Sequence, residues 1–157
     1  MKTLLSAAQV LRLAFPEGGY LPPDTLVEAD IAAAEHRYLR PVLGAALHER
    51  LLAGEAADFT ADYAAPCVAL AVRLLVGRRL DLRSTRLGTL APKSDRGAPP
   101  AEAPLCGRQR TLRLELHALL RRASEYLAAH PAEYPDYDPD ANPLNRCTTD
   151  GGLVQVR

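Results

Sequence analysis

A chain of 157 residues, 48% hydrophobic and 24% charged, holds enough material for one domain with its own core and lies in the ordinary globular range. Aromatic residues make up only 5% and Trp is absent, so the core must come from Leu, Val and Ala, which favours helices. Net charge is zero but segregated: residues 1–72 carry 5 basic and 9 acidic side chains, residues 73–122 carry 12 and 4, and residues 123–157 carry 2 and 6. A basic middle between acidic ends suits nucleic acid or head-to-tail packing of copies; the plainer reading is a solvated, Arg-rich helix face.

The three cysteines, Cys67, Cys106 and Cys147, form no Cys-x-x-Cys pair and are odd in number, so neither a disulfide framework nor a zinc ribbon is expected. A reduced, intracellular setting is the simpler reading. At the N-terminus Ser6, Gln9 and Arg12 interrupt any signal-peptide core. The longest apolar run, Ala64 to Gly77, contains Arg73 and falls short of the roughly 20 residues that span a bilayer, so no membrane contact is expected.

In chain order, residues 3–13 read as a first short helix, with Leu4, Ala8 and Leu11 on one face, stopped by "FPEGGYLPPD". A second helix starts near Asp24, carries Val27, Ile31, Ala34 and Tyr38 as its apolar stripe, and ends before Pro41. Pro41 then opens a third helix over about 41–53, lined by Leu43, Leu47 and Leu51, with Gly54 as its left-handed terminator. A fourth helix runs from about Asp58 or Thr60 to Leu80, the alternative being that Pro66 marks its true first turn. Its apolar surface nearly all round makes it the central helix, with Cys67 a small core residue. A long irregular loop follows, in which "LRSTRLGTL" has the marks of a strand or hairpin. The fifth helix, about 105–129, carries Leu112, Leu116, Leu119, Leu120, Ala123 and Leu127 as a stripe, with Arg110, Arg113, His117, Arg121 and Arg122 largely off it.

The expected fold class is therefore mostly α: a bundle of about five helices over residues 1–130, with a loop at 81–104. Residues 131–157 form an extended arm ending in a short strand, Leu153 to Arg157. That strand needs a hydrogen-bonding partner. Two are open: another subunit, by β-augmentation, or "LRSTRL" in the same chain.

Catalytic signatures are missing. No phosphate-binding Gly loop, dinucleotide turn or Gly-x-Ser-x-Gly elbow occurs. His48-Glu49 begins like a zinc-protease helix, but Leu52 replaces the second His, so the pair reads as surface. "DYDPDAN" spaces Asp136, Asp138 and Asp140 like a calcium loop, yet Ala141 and Cys147 stand where Gly and Glu are needed, which leaves a solvated acidic arm. His36, His48, His117 and His130 are scattered. No enzyme activity and no cofactor are expected.

Three stretches together carry a resemblance: "EADIAAAEHRYLRPVLGAALHERLLAG", "DYAAPCVALAVRLLVGRRLDLRSTRLGTLAPKSD" and "AEYPDYDPDANPLNRCTTDGGLVQVR". Over most of residues 25–157 the chain resembles small prophage-encoded proteins of gut bacteria. These in turn are similar, in helix order and length, to the helical head–tail connector (adaptor) proteins of tailed bacteriophages. The resemblance implies a structural subunit that self-associates into a ring beneath the portal, made in the bacterial cytoplasm and carried in the virion neck. It implies subunit or portal contacts through Arg83, Arg86 and Leu87 in the loop and Leu153, Val154, Gln155, Val156 and Arg157 in the tail. Arg78, Arg79, Arg110, Arg113 and Arg121 would face passing DNA without reading its sequence. The alternative is a monomeric helical protein-binding module of regulatory type, whose acidic arm docks on a basic partner.

Overall fold

The computed structural model describes the backbone of residues 2–15, 26–81, 83–85, 88–90, 102–150 and 153–156, and side chains at all of these except 78, 80–105 and 147–156. The described chain is mostly helical. Asp24, the expected start of the second helix, lies outside the described residues.

Helix α1, Ala7–Ala14, begins at a capping box: Ser6 N–H donates to Gln9 Oε1 (2.8 Å), and Gln9 N–H donates to Ser6 Oγ (3.4 Å). Its buried face is Val10 and Ala14, while Ala8 is exposed, so the expected Leu4–Ala8–Leu11 stripe is out of phase. The cap starts the helix at Ala7 and turns Val10 inward.

Helix α2, Glu28–Ala34, does not stop before Pro41. It passes through a π turn, Glu35–Leu39, straight into α3, Arg40–Leu43. The same device recurs where α5, Ala57–Phe59, passes through a second π turn, Thr60–Ala64, into α6, Ala65–Asp81, which contains Pro66. In both places the residue just before the proline bonds five residues back: Arg40 N–H to Glu35 O, and Ala65 N–H to Thr60 O. A proline lacks the N–H and crowds the carbonyl four residues earlier; the wider turn relieves that crowding and lets the helix continue. The extra residue also advances the phase of the apolar stripe. Beyond Ile31 and Ala34 the core position falls on Leu39 (1% exposed) in place of Tyr38, and Val27 is left outside at 56% exposure.

Gly44 (φ +85°) breaks α3 from α4, Ala45–Ala53, so the expected single helix over 41–53 is two pieces at an angle. Gly54 (φ +94°) ends α4 in the left-handed conformation, as its position after Ala53 implies. Leu43, Leu47 and Leu51 are all buried, as expected.

Helix α6 is the centre of the bundle and packs against α1, α2 and α7, Glu102–Ala129. Val68, Ala69, Ala71, Val72 and Val76 are buried around its circumference, and burial pushes the Cys67 thiol up to about 12. The 21-residue stretch Ala57–Gly77 of this continuous helix is apolar enough by length and composition to cross a bilayer, yet 56% of its apolar window is buried inside the bundle. The single charge between Ala65 and Gly77, Arg73, donates to Ala14 O (2.8 Å) at the end of α1 and lies over the Phe15 ring (5.4 Å). That contact satisfies a carbonyl that the end of α1 leaves without a helical partner.

Two hairpins complete the topology. β1, Arg83–Thr85, pairs antiparallel with β2, Gly88–Leu90, and β3, Cys147–Asp150, pairs antiparallel with β4, Leu153–Val156. The last strand thus takes neither partner anticipated from sequence. "LRSTRL" pairs with its own downstream neighbour, and the Gly-Gly between β3 and β4 stands where a short antiparallel connection needs it.

The arm also departs from the extended, solvated segment expected. Tyr134, Tyr137 and Asn142 are buried against the bundle, and a short helix α8, Pro143–Arg146, follows them. Asn142 Nδ2 donates to both Ser124 Oγ (2.8 Å) and Tyr137 Oη (2.8 Å), these two hydroxyls share a hydrogen bond (2.7 Å), and Asn142 Oδ1 accepts from Leu144 N–H (2.9 Å). Asn142→Ala leaves the Leu144 N–H without its acceptor in a 1%-exposed site and opens the triangle. It is expected to cost about 1–3 kcal/mol in urea unfolding followed by circular dichroism.

Candidate assembly surface

Helix α7 has 28 residues, so it is about 42 Å long at 1.5 Å per residue. Its second half carries the core contacts: Leu116, Leu120, Ala123, Ser124 and Leu127 are all buried. Its first half does not: residues 106–115 include no buried side chain, and Leu114 is 64% exposed. At 100° per residue, Arg110, Leu114, His117 and Arg121 fall along one stripe beside the Leu116–Leu120–Leu127 face, with Arg113 on the border between the two, and every one of the five is exposed. Arg110, Arg113, His117 and Arg121 all stand off the apolar stripe in the sequence, and the three arginines are singled out there; Leu114 joins them only once the burial is known.

Other singled-out residues fall differently. Arg79 is occupied: its guanidinium forks onto both carboxylate oxygens of Asp30, with Nη1 to Oδ1 at 3.0 Å, and ties α6 to α2. The Arg79 hydrogen bond holds Asp30 below the usual carboxylate range, helped by the Val27 N–H, against an opposing push from burial. Arg79 is therefore a strut between two helices, with its side chain still 53% exposed. Arg121 lies 3.4 Å from Glu125 one turn on, both well exposed, an arrangement worth little energetically. The side chains of Arg78, Arg83, Leu153, Val154, Gln155 and Val156 lie outside the described residues, and so do Arg86, Leu87 and Arg157 altogether.

The opposite end of α7 is aromatic and acidic. Phe59 (2% exposed) stacks on Tyr63 (5.4 Å) and Tyr126 (5.9 Å) and tilts against Tyr134 (5.4 Å). Tyr126 stacks in turn on Tyr63 (4.5 Å) and His130 (4.2 Å), and Arg122 lies 5.1 Å over Tyr63. Desolvation, chiefly, pushes the Tyr134 hydroxyl up, with the neighbouring Tyr126 adding to it. Each ring has an exposed acid beside it in sequence: Asp58, Asp62, Glu125 and Glu133. Arg50 draws the arm to this end, donating to Asp136 (2.6 Å) and to Glu55 (3.1 Å).

His48 is not a surface residue. It is 8% exposed and faces Glu35, itself 2% exposed, across 3.6 Å, while Glu49 beside it is exposed. Glu35 Oε1 accepts from Leu4 N–H (2.8 Å), and His48 Nε2 has no protein partner at hydrogen-bonding distance. His36 and His117 are exposed and His130 is half-buried against Tyr126; among the described residues no three His, Cys, Asp or Glu side chains converge as metal ligands would. Two grooves flank the exposed Leu13. One of about 610 Å³ includes Leu5, Leu51, Leu52 and Ala65; the other, of about 490 Å³, includes Leu70, Leu119, Arg73 and Glu115. Both are mainly apolar and bring together no nucleophile–base pair.

Comparisons with protein-family models, with curated proteins and with solved structures return no match.

Proposed function

We propose that this protein is a structural subunit that works by assembly, in the setting its sequence resembles: a head–tail connector in the neck of a tailed phage. The observation that carries this reading is the first half of α7. A helix whose residues 106–115 include no fully buried side chain, only Leu112 packing partly on the core, and which displays Leu114 among Arg110, Arg113 and His117, offers a face for a neighbouring molecule. In this reading copies associate heterologously into a ring, the portal or another neck protein adjoins it, and arginines left outside the contact between copies meet DNA non-specifically. The ring would assemble in the bacterial cytoplasm and remain in the virion neck. The β3–β4 hairpin supports the same reading through its backbone, since a two-stranded sheet keeps outer edges that accept another strand.

Sedimentation velocity over a wide protein concentration range tests it. A species several times the 17.0 kDa monomer is expected for the intact chain. A chain ending at Arg146 keeps the Asn142 anchor and is expected to assemble less well. A monomer at every concentration, alone and mixed with portal rings, would replace this reading with the monomeric binding module.

A further inference from the structure

We propose that the basic stripe of α7 docks on the acidic, aromatic end of a second copy, joining copies head to tail. The proposal rests on the self-assembly reading and names its contact. The stripe presents Arg110, Arg113 and His117 around Leu114; the opposing surface presents the exposed Asp58, Asp62 and Glu133, next in sequence to the clustered Phe59, Tyr63 and Tyr134, with Arg122 lying over the Tyr63 ring. Signs are opposite, and each side combines charge with an apolar centre, the usual make-up of a docking patch.

One chain cannot bring its own two patches together. The stripe lies on α7, and the acidic patch packs on the far end of the same helix through Tyr126, which stacks on Tyr63: Arg113 and Tyr126 are 13 residues apart, about 20 Å along the axis. At physiological ionic strength the screening length is about 8 Å, so the patches barely feel each other within a chain and each remains available to a neighbour. Different patches meeting across copies make a heterologous contact, which leaves one free patch at each end and so propagates to a ring or filament. The stacked Phe59–Tyr63–Tyr126–Tyr134 cluster holds the acidic side chains on a rigid platform, because Asp58, Asp62 and Glu133 each neighbour one of its rings in sequence.

Charge reversal tests the contact on full-length protein. One variant carries Arg110→Glu and Arg113→Glu, the other Asp62→Lys and Glu133→Lys; all four side chains are exposed, and circular dichroism and thermal melting verify the fold. In sedimentation velocity at low salt each variant alone is expected to self-associate at least about tenfold more weakly than wild type, and an equimolar mixture is expected to recover association. Wild type that assembles while both variants assemble equally well would overturn this contact and leave self-assembly standing. Weakened variants that fail to recover on mixing would show that the two patches do not face each other. Wild type that stays monomeric throughout would overturn both readings, and a monomer that binds a short DNA duplex through Arg110 and Arg113 would assign the stripe to nucleic acid.

Discussion

Phe59→Ala is expected to destabilise the fold by about 3–5 kcal/mol, the range for removing a fully buried aromatic side chain. The ring is 2% exposed and touches every other member of the aromatic cluster except His130: Tyr63, Tyr126 and Tyr134 lie with centroids 5.4–5.9 Å away. Those three rings come from the second π turn, α7 and the arm, so the cavity opens where three separated segments meet and no single backbone shift closes it. For a domain of this size each kcal/mol lowers the melting midpoint by about 2–4 °C, so a drop of roughly 6–20 °C is expected in thermal melting by circular dichroism. Hydrogen exchange adds a spatial readout: amides near Tyr134 and Tyr137 should exchange faster in the variant, because Phe59 is one of the contacts that hold the arm down. Leu13→Ala is the control. At 51% exposure that side chain buries little, and a change within about 0.5 kcal/mol is expected. Equal losses for the two variants would remove the cluster from its structural role.

What could be read from the sequence follows from how local each feature is. The central position of α6 was legible because Val68, Ala69, Val72 and Val76 leave no polar face, and Gly54 was legible because a left-handed helix end favours glycine. The Ser6–Gln9 capping box carries a recognisable Ser-x-x-Gln spacing, a local signal for the start of α1. The π turns were beyond reach. A bond from Arg40 to Glu35 leaves no compositional mark, so Pro41 reads as a helix boundary though it lies inside a continuous helix, whereas the fourth helix, read from Asp58 or Thr60, does run on through Pro66. The arm was misread for a related reason: Tyr134, Tyr137 and Asn142 follow neither a helix nor a strand period, and their burial depends on Ser124 and Phe59, far away in sequence. The basic stripe was half legible. Arg110, Arg113 and Arg121 stand out in any reading of charge, but which of the arginines are free and which are struts, as Arg79 is, depends on Asp30, 49 residues earlier.

Glu35→Leu is expected to cost about 2–4 kcal/mol, because a buried carboxylate here serves two segments at once. Glu35 opens the first π turn, and its side chain points into the space between the N-terminal segment and α4, where Oε1 accepts from Leu4 N–H at 2.8 Å and Oε2 faces His48 Nε2 at 3.6 Å. The first is a hydrogen bond; the second is too long to be one, so the two contacts make separable contributions. Leucine removes the acceptor for Leu4 N–H and leaves His48 Nε2 against an apolar wall, stranding two buried polar groups. Glu35→Gln keeps an oxygen for Leu4 N–H while discarding the charge. If backbone capture is the main role, Gln should stay within about 1 kcal/mol of wild type in urea unfolding, and the Leu4 amide should keep its exchange protection. If the charge facing His48 is the main role, Gln should fall as far as Leu, and His48→Leu in the Glu35→Leu background should recover much of the loss by replacing both partners with apolar groups. A Glu35→Leu chain as stable as wild type would contradict both roles and leave the burial of this carboxylate without an energetic reason.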